Sequence, residues 1–138
     1  MRSKIAVAIL GAGLLLTAAP VWAHHAFAAE FDVNKPLLLK GTVTKMEWIN
    51  PHAWIHIDVK DAATGKTTEW MIEAGAPNGL LRRGFTKASL PNGTDIVVEG
   101  WQAKDGSNRA NGSNITLPDG KKLFVGSSGT GAPFETQK

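Results

Sequence analysis

The sequence predicts an all-β chain, on three observations. Between residues 37 and 125, apolar side chains recur at a spacing of two rather than 3.6. Turn signals at Asn50-Pro51, Gly65, Pro91-Asn92-Gly93 and Pro118-Asp119-Gly120 divide that stretch into strand-length pieces. A single short helical segment interrupts the alternation between the third and fourth pieces. A sheet of this size leaves exposed edges unless it closes on itself. The order therefore predicts a small OB-like five-stranded Greek-key barrel with one short helix between strands 3 and 4. The rival arrangement is an open sandwich, or a small antiparallel sheet with a helix on one face.

Each element follows from local residues. The first strand is expected over residues 37–48, where Leu39, Gly41 and Val43 share one parity and Met46 and Trp48 the other. A bulge or bend near Lys45 would turn both sets inward. Ala53, Ile55, Ile57 and Val59 alternate with Trp54, His56 and Asp58, the pattern of a half-buried strand. Residues 61–66 make a hairpin loop, and residues 67–74 (TTEWMIEA) a third strand. Residues 77–85 form the helical segment, with Asn78 as the expected cap and Gly84 as the stop. Residues 94–101 make a fourth strand. Residues 105–112 read as a polar Gly/Asn-rich loop. Residues 114–117 and 121–125 flank Pro118-Asp119-Gly120 as a fifth strand that turns back on itself. Gly41 and Gly100 suit strands that coil tightly.

The two ends of the 138-residue chain read differently. Residues 1–23 have the features of a signal peptide: Arg2 and Lys4, an apolar run from Ile5 to Leu16, then Val21-Trp22-Ala23 with small residues at the positions a signal peptidase reads. The apolar run is shorter than the ~20 residues that span a bilayer. The expectation is a periplasmic or secreted protein, cleaved after Ala23 and not inserted in a membrane. Residues 24–36 are expected to be an N-terminal arm, 37–125 the barrel domain and 126–138 a flexible, small and polar tail.

Composition excludes several function classes. With no cysteine there are no disulfides, thiolate metal sites, iron–sulfur clusters or cysteine nucleophiles. The formal net charge is +3, and cleavage would remove two of those charges with Arg2 and Lys4. So little positive charge gives no electrostatic case for nucleic acid.

His24-His25-Ala26-Phe27 directly after the leader, Glu30-Phe31-Asp32, Lys40-Gly41-Thr42-Val43 and Glu47-Trp48-Ile49-Asn50-Pro51-His52 form a recognisable series. It continues through Asp58-Val59, Gly65, Trp70, residues 103–107 (AKDGS) and residues 117–120 (LPDG). In this series the chain resembles a family of small exported bacterial proteins, domain-of-unknown-function family 6152. The resemblance implies an exported, single-domain, barrel-like protein. It brings no activity and no functional residue with it.

The candidate site residues come from the chemistry of the side chains. All four histidines fall at positions 24, 25, 52 and 56. Cleavage after Ala23 would leave His24 with a free amine beside its imidazole Nδ1, a chelating pair, and His25 adds a second ring. Nitrogen ligands without thiolate favour Cu(II), then Ni(II) or Zn(II). A histidine brace looks similar at this position, and it needs a further histidine from the fold. His52 and His56 are the candidates. Four residues of extended strand separate them by ~13 Å, at ~3.3 Å per residue, so one of them completes the set unless His52 lies in the loop. The competing explanation is a solvated end and a structural His52.

The second candidate is the strand face carrying Trp54, His56 and Asp58, placed to bind a small organic ligand or a protein. Trp48, Trp70 and Trp101 are expected to pack in or around the barrel. Arg82, Arg83 and Lys87 form the one compact basic cluster, with an anionic ligand or a solvated helix end as its two explanations. Glu47, Asp58, Glu69 and Glu73 fall on strands without a catalytic pairing. There is no GxSxG, HExxH, P-loop or dinucleotide fingerprint. The sequence therefore points to a binding or accessory protein, with copper as the candidate ligand, rather than to an enzyme, with a weak enzyme or accessory subunit as a third reading.

Overall fold

The computed structural model describes residues 27–135. The expected leader at 1–23, and His24 and His25, lie outside them. The elements in order are α1 (Phe27–Glu30), β1 (Phe31–Glu47), β2 (Trp54–Lys60), β3 (Thr67–Glu73), α2 (Pro77–Arg82), a 3-10 turn (Lys87–Ser89), β4 (Asp95–Ala103), β5 (Arg109–Thr116), β6 (Lys122–Phe124) and a second 3-10 turn (Pro133–Glu135). The fold is all-β, with short helices only. Among the described residues no helix is long and apolar enough to cross a membrane.

The strands form one six-stranded sheet in the order β3-β2-β1-β4-β5-β6, and β3 also pairs with β5. The β3–β5 contact is parallel, Met71 to Arg109 through Glu73 to Asn111, whereas the other pairs are antiparallel. Each of β1 to β5 therefore has a neighbour on both sides. β6 is a short return strand on β5.

The 17-residue β1 makes this possible, because it serves two partners. Its first part pairs with β4, from Phe31 opposite Ala103 to Thr42 opposite Asp95. Its last part pairs with β2, from Thr42 opposite Asp58 to Glu47 opposite Trp54. The β2 register slips between Val43 and Lys45, where the change of parity required a bulge. Val43 and Met46 are both buried although they differ in parity, and only an inserted residue allows that. A second slip lies between Glu99 and Gly100. There the backbones approach so closely that a Cβ on Gly100 would lie 2.2 Å from the Asn111 carbonyl oxygen; at Gly41 the Asp58 carbonyl oxygen would be 2.8 Å away.

Ile55, Ile57, Ile72, Val98, Ala110 and Ile115 point inward and are fully buried. Leu80 of α2 and Phe85 close one side of this core. Pro77 opens α2, and its N-cap is Ala76, without a side-chain bond, rather than Asn78. The helix ends with Phe85 N–H donating to the Leu80 carbonyl and Gly84 N–H to the Leu81 carbonyl. This pair of bonds satisfies the last carbonyls and packs Phe85 on Leu80.

The structure corrects the expected boundaries in three places. Residues 109–112, read as loop, are the start of β5, and Ala110, Asn111 and Gly112 are buried between β4 and β3. The arm at 24–36 is not irregular in its described part, since β1 begins at Phe31 and α1 precedes it. The tail at 126–138 is packed as far as it is described. Phe27, Phe31, Ala103 and Ala132 form a second apolar cluster, joined by Trp101 and Phe134. Phe27 N–H donates to the Thr130 carbonyl at 2.8 Å, and Glu135 accepts from the amides of Thr130 and Gly131. Neither segment is long enough to show a period, so their mutual burial leaves no local pattern.

Candidate functional site

β2 and its neighbours set the outward row. Because Ile55 and Ile57 point in, Trp54, His56 and Asp58 point out together. Glu47 and Glu73 flank Trp54 across the sheet, Lys45 and Met71 flank His56, and Thr42 and Glu69 flank Asp58. The three side chains share a face, as expected, but each is engaged by different groups.

Trp54 is half-buried and lies outside both apolar clusters. The Arg109 guanidinium stands 5.9 Å from its ring centroid, a cation–π contact, and Arg109 Nη2 donates to Glu30 Oε2 at 2.7 Å. Asp58 lines an open groove of about 480 Å3 with Lys40, Lys60, Thr42 and Asp95. His56 is only 8% exposed. Its Nδ1 is 3.3 Å from Glu69 Oε1, and its Nε2 is 3.5 Å from Glu47 Oε2, too poorly aligned for a hydrogen bond. The Lys45 ammonium, and then His56, hold the Glu47 carboxyl below its ordinary value of 4.5. The two glutamates address opposite nitrogens of one ring, so they diverge and do not meet on a common ion.

His52 sits elsewhere, in the turn before β2 and 8% exposed. Ala53 and Ala74 fix it there. Ala53 N–H donates to the Gly75 carbonyl, and Ala74 N–H donates to the Ala53 carbonyl, continuing the β2–β3 ladder past the strand ends. His52 Nδ1 lies 3.0 Å from Ser127 Oγ, 3.3 Å from the Ala74 carbonyl oxygen and 3.5 Å from Glu73 Oε1. The Ser127 hydroxyl donates to that same Ala74 carbonyl at 3.3 Å, and Asn111 Nδ2 donates to Glu73 Oε1 at 3.3 Å. A carbonyl only accepts, so the tautomer that suits the Ala74 carbonyl carries the ring proton on Nδ1. Its lone pair is then on Nε2.

This set is not a hydrolytic triad. There the nucleophile and the carboxylate hold opposite ring nitrogens, whereas Ser127 and Glu73 both face Nδ1. Ser127 escaped the sequence reading because it lies in a stretch of glycine, serine and threonine that reads as tail. The only signal was its place one glycine beyond the apolar residues 123–125.

His52 and His56 share no partner in these contacts. Among the described residues no group of three or more His, Asp or Glu side chains is gathered around a metal-sized space. His24 and His25, the other half of the expected set, lie outside the described residues. Trp48 and Trp70 pack on the main core and Trp101 on the second cluster. Trp48 also stacks on Phe85, with centroids 6.3 Å apart. The basic cluster divides. Arg82 and Arg83 line a cleft with His52 and Ser127, whereas Lys87 lines a different groove with Lys45 and Met46.

No curated protein and no solved structure matches the chain. The model of a family of unknown function, domain-of-unknown-function family 6152, matches residues 12–113. That match spans well over half of the sequence and takes in β1 to β4, the His52 turn and most of β5, and the chain belongs to that family.

Proposed function

We propose that this chain is an exported, soluble binding or accessory protein with an OB-like barrel, and that it handles copper rather than turning over a substrate. The barrel reading rests on the unbroken circuit of pairings through β1, β2, β3, β5 and β4, with α2 between β3 and β4. The export reading rests on the leader.

His52 is the fold-borne ligand in this reading, and His56 is not. The observation that carries it is the oxygen shell around His52 Nδ1. Metal-binding histidines characteristically donate one ring N–H to a carbonyl or carboxylate, which orients the ring. His56 instead faces a carboxylate at each nitrogen, Glu69 through a hydrogen bond at Nδ1 and Glu47 through charge alone at Nε2. The chain path agrees. Phe27 is tied to Thr130, three residues beyond the Ser127 that touches His52. The pair His24-His25 precedes Phe27 by two and three residues, and each residue reaches at most ~3.6 Å.

The test is a Cu(II) titration of the chain starting at His24 against one with a single extra residue before it. The extended chain should bind at least about tenfold more weakly, because the amine chelate is lost. S127A should lower copper affinity by about tenfold, the effect of removing an orienting partner, while H56A leaves it unchanged. Equal affinities for the two starting points would remove amine chelation. A native polypeptide that begins elsewhere, read by mass spectrometry, would remove it as well.

A second reading keeps the Trp54, His56 and Asp58 face as an organic-ligand or protein-interaction surface. Its support is that Trp54 belongs to neither apolar cluster.

A further inference from the structure

We propose that the cleft between α2 and the segment following β6 binds a small tetrahedral oxyanion of the phosphate class. Its volume is about 130 Å3, well below the ~300–1,000 Å3 of sites for drug-sized ligands. The polar side chains around it are His52, Asn78, Arg82, Arg83, Ser127 and Ser128, and no acidic residue lines it. This separates it from the groove beside Asp58, where Lys40 and Lys60 are balanced by Asp58 and Asp95.

The two arginines are prepared for different tasks. Arg83 is fixed: its Nη1 donates to the Gly126 carbonyl at 2.7 Å, and its guanidinium carbon stands 4.8 Å from the Phe124 ring centroid. A guanidinium carries five N–H donors in one plane, so holding that plane leaves the remaining donors at set positions. Arg82 is exposed at the end of α2. Among the described residues neither arginine has a carboxylate within ion-pair distance. Two adjacent cations that make no ion pair repel each other, and an anion held in the cleft they share relieves that repulsion; Glu135 lies with Arg83 along a separate groove. Arginine forks and serine hydroxyls together match an oxyanion that presents several acceptor oxygens. Pro51, Gly75, Ala76 and Gly126 complete the walls and keep part of the site away from water, where charge-assisted hydrogen bonds gain strength.

The proposal does not depend on copper. It stands on the arginines and serines, and it is tested on protein stripped of metal with a chelator. Inorganic phosphate is titrated calorimetrically, and the amide signals of Ser127, Ser128 and Gly129 are followed in parallel. Saturable binding with shifts at those amides is expected. R82A, a change on the exposed helix surface, should weaken it about tenfold or more, the scale of one hydrogen bond to a charged group. S128A should weaken it less. Vesicles containing phosphatidylglycerol identify the source of the anion. Retention on vesicles that R82A abolishes assigns a lipid headgroup, and binding of free phosphate alone assigns a soluble oxyanion. The proposal is overturned if neither phosphate nor vesicles bind, or if R82A and S128A bind phosphate as well as the unaltered chain.

Discussion

The main core and the second apolar cluster are both fully buried, but they depend on one another unequally. Ile55, Ile57, Ile72, Val98 and Ile115 come from strands hydrogen-bonded side by side, so each is held by the sheet ladder as well as by packing. Phe27 and Ala132 come from opposite ends of the described chain and meet over Ala103 and Trp101 of β4. The sheet thus provides the floor of the second cluster, whereas the main core is closed by its own strands and α2. End segments of this kind open at free energies below that of global unfolding.

Two substitutions sharpen this contrast. Ile57→Ala removes fully buried methyl groups at the centre of β2. It should lower global stability by ~2–5 kcal/mol, read as a shift in the denaturant midpoint without a change in slope. Phe27→Ala removes a larger side chain, yet its global effect should be smaller than that of Ile57→Ala. The loss is bounded by the free energy that holds the ends down, because the ends can release while the sheet stays folded. Hydrogen exchange should show it: the amides of Phe27 and Thr130 lose protection, and those of Ile55 and Ile57 keep theirs. If Phe27→Ala unfolds the sheet together with the ends, the two regions are one cooperative unit and the contrast fails.

The same contrast explains what could be read from the residues alone. The interior of β2 was legible because an alternating pattern reports a face directly, residue by residue. The bulge near Lys45 was legible because Val43 and Met46 are both apolar and fall on opposite parities. β5 was only half legible, since Arg109, Asn111 and Gly112 look like loop residues. They enter the sheet because Gly112 and Gly100 let two backbones approach closely, a tertiary requirement with no local signature. Ala132 and Ser127 were illegible for the same reason. Nothing in a run of Gly, Ser, Thr and Ala says that Phe27 will cover it. At the candidate site the histidines and the Trp54 face were visible as chemistry. The distance between His52 and His56 along the strand was visible too; their partners were not, because Ser127 and Glu73 reach His52, and Glu47 and Glu69 reach His56, only through the tertiary fold.

Acid should act on the sheet side of this comparison first, through Glu47. Its carboxyl is held below 4.5 by Lys45 and then His56, with a small opposing effect of burial. A carboxylate with a depressed value contributes stability that is complete above the value in the unfolded chain. That contribution is lost as pH falls through the lower, folded value. The window therefore lies below 4.5 and leaves neutral pH untouched. Glu47 is partly open to solvent, so the effect is small and weakens further with salt. Asp61 and Asp105 behave alike, their carboxyls lowered by the amide and hydroxyl of Thr64 and by the hydroxyl and amide of Ser107. These two also titrate in E47Q, so they set the acid response that remains. Melting temperature measured between about pH 5 and pH 3 should fall less steeply in E47Q than in the unaltered chain, by the part that joins β1 to His56. Equal slopes would mean that the Lys45–Glu47–His56 contact adds nothing to the β1–β2 junction, and the bulge and the buried Val43 and Met46 alone would then hold it.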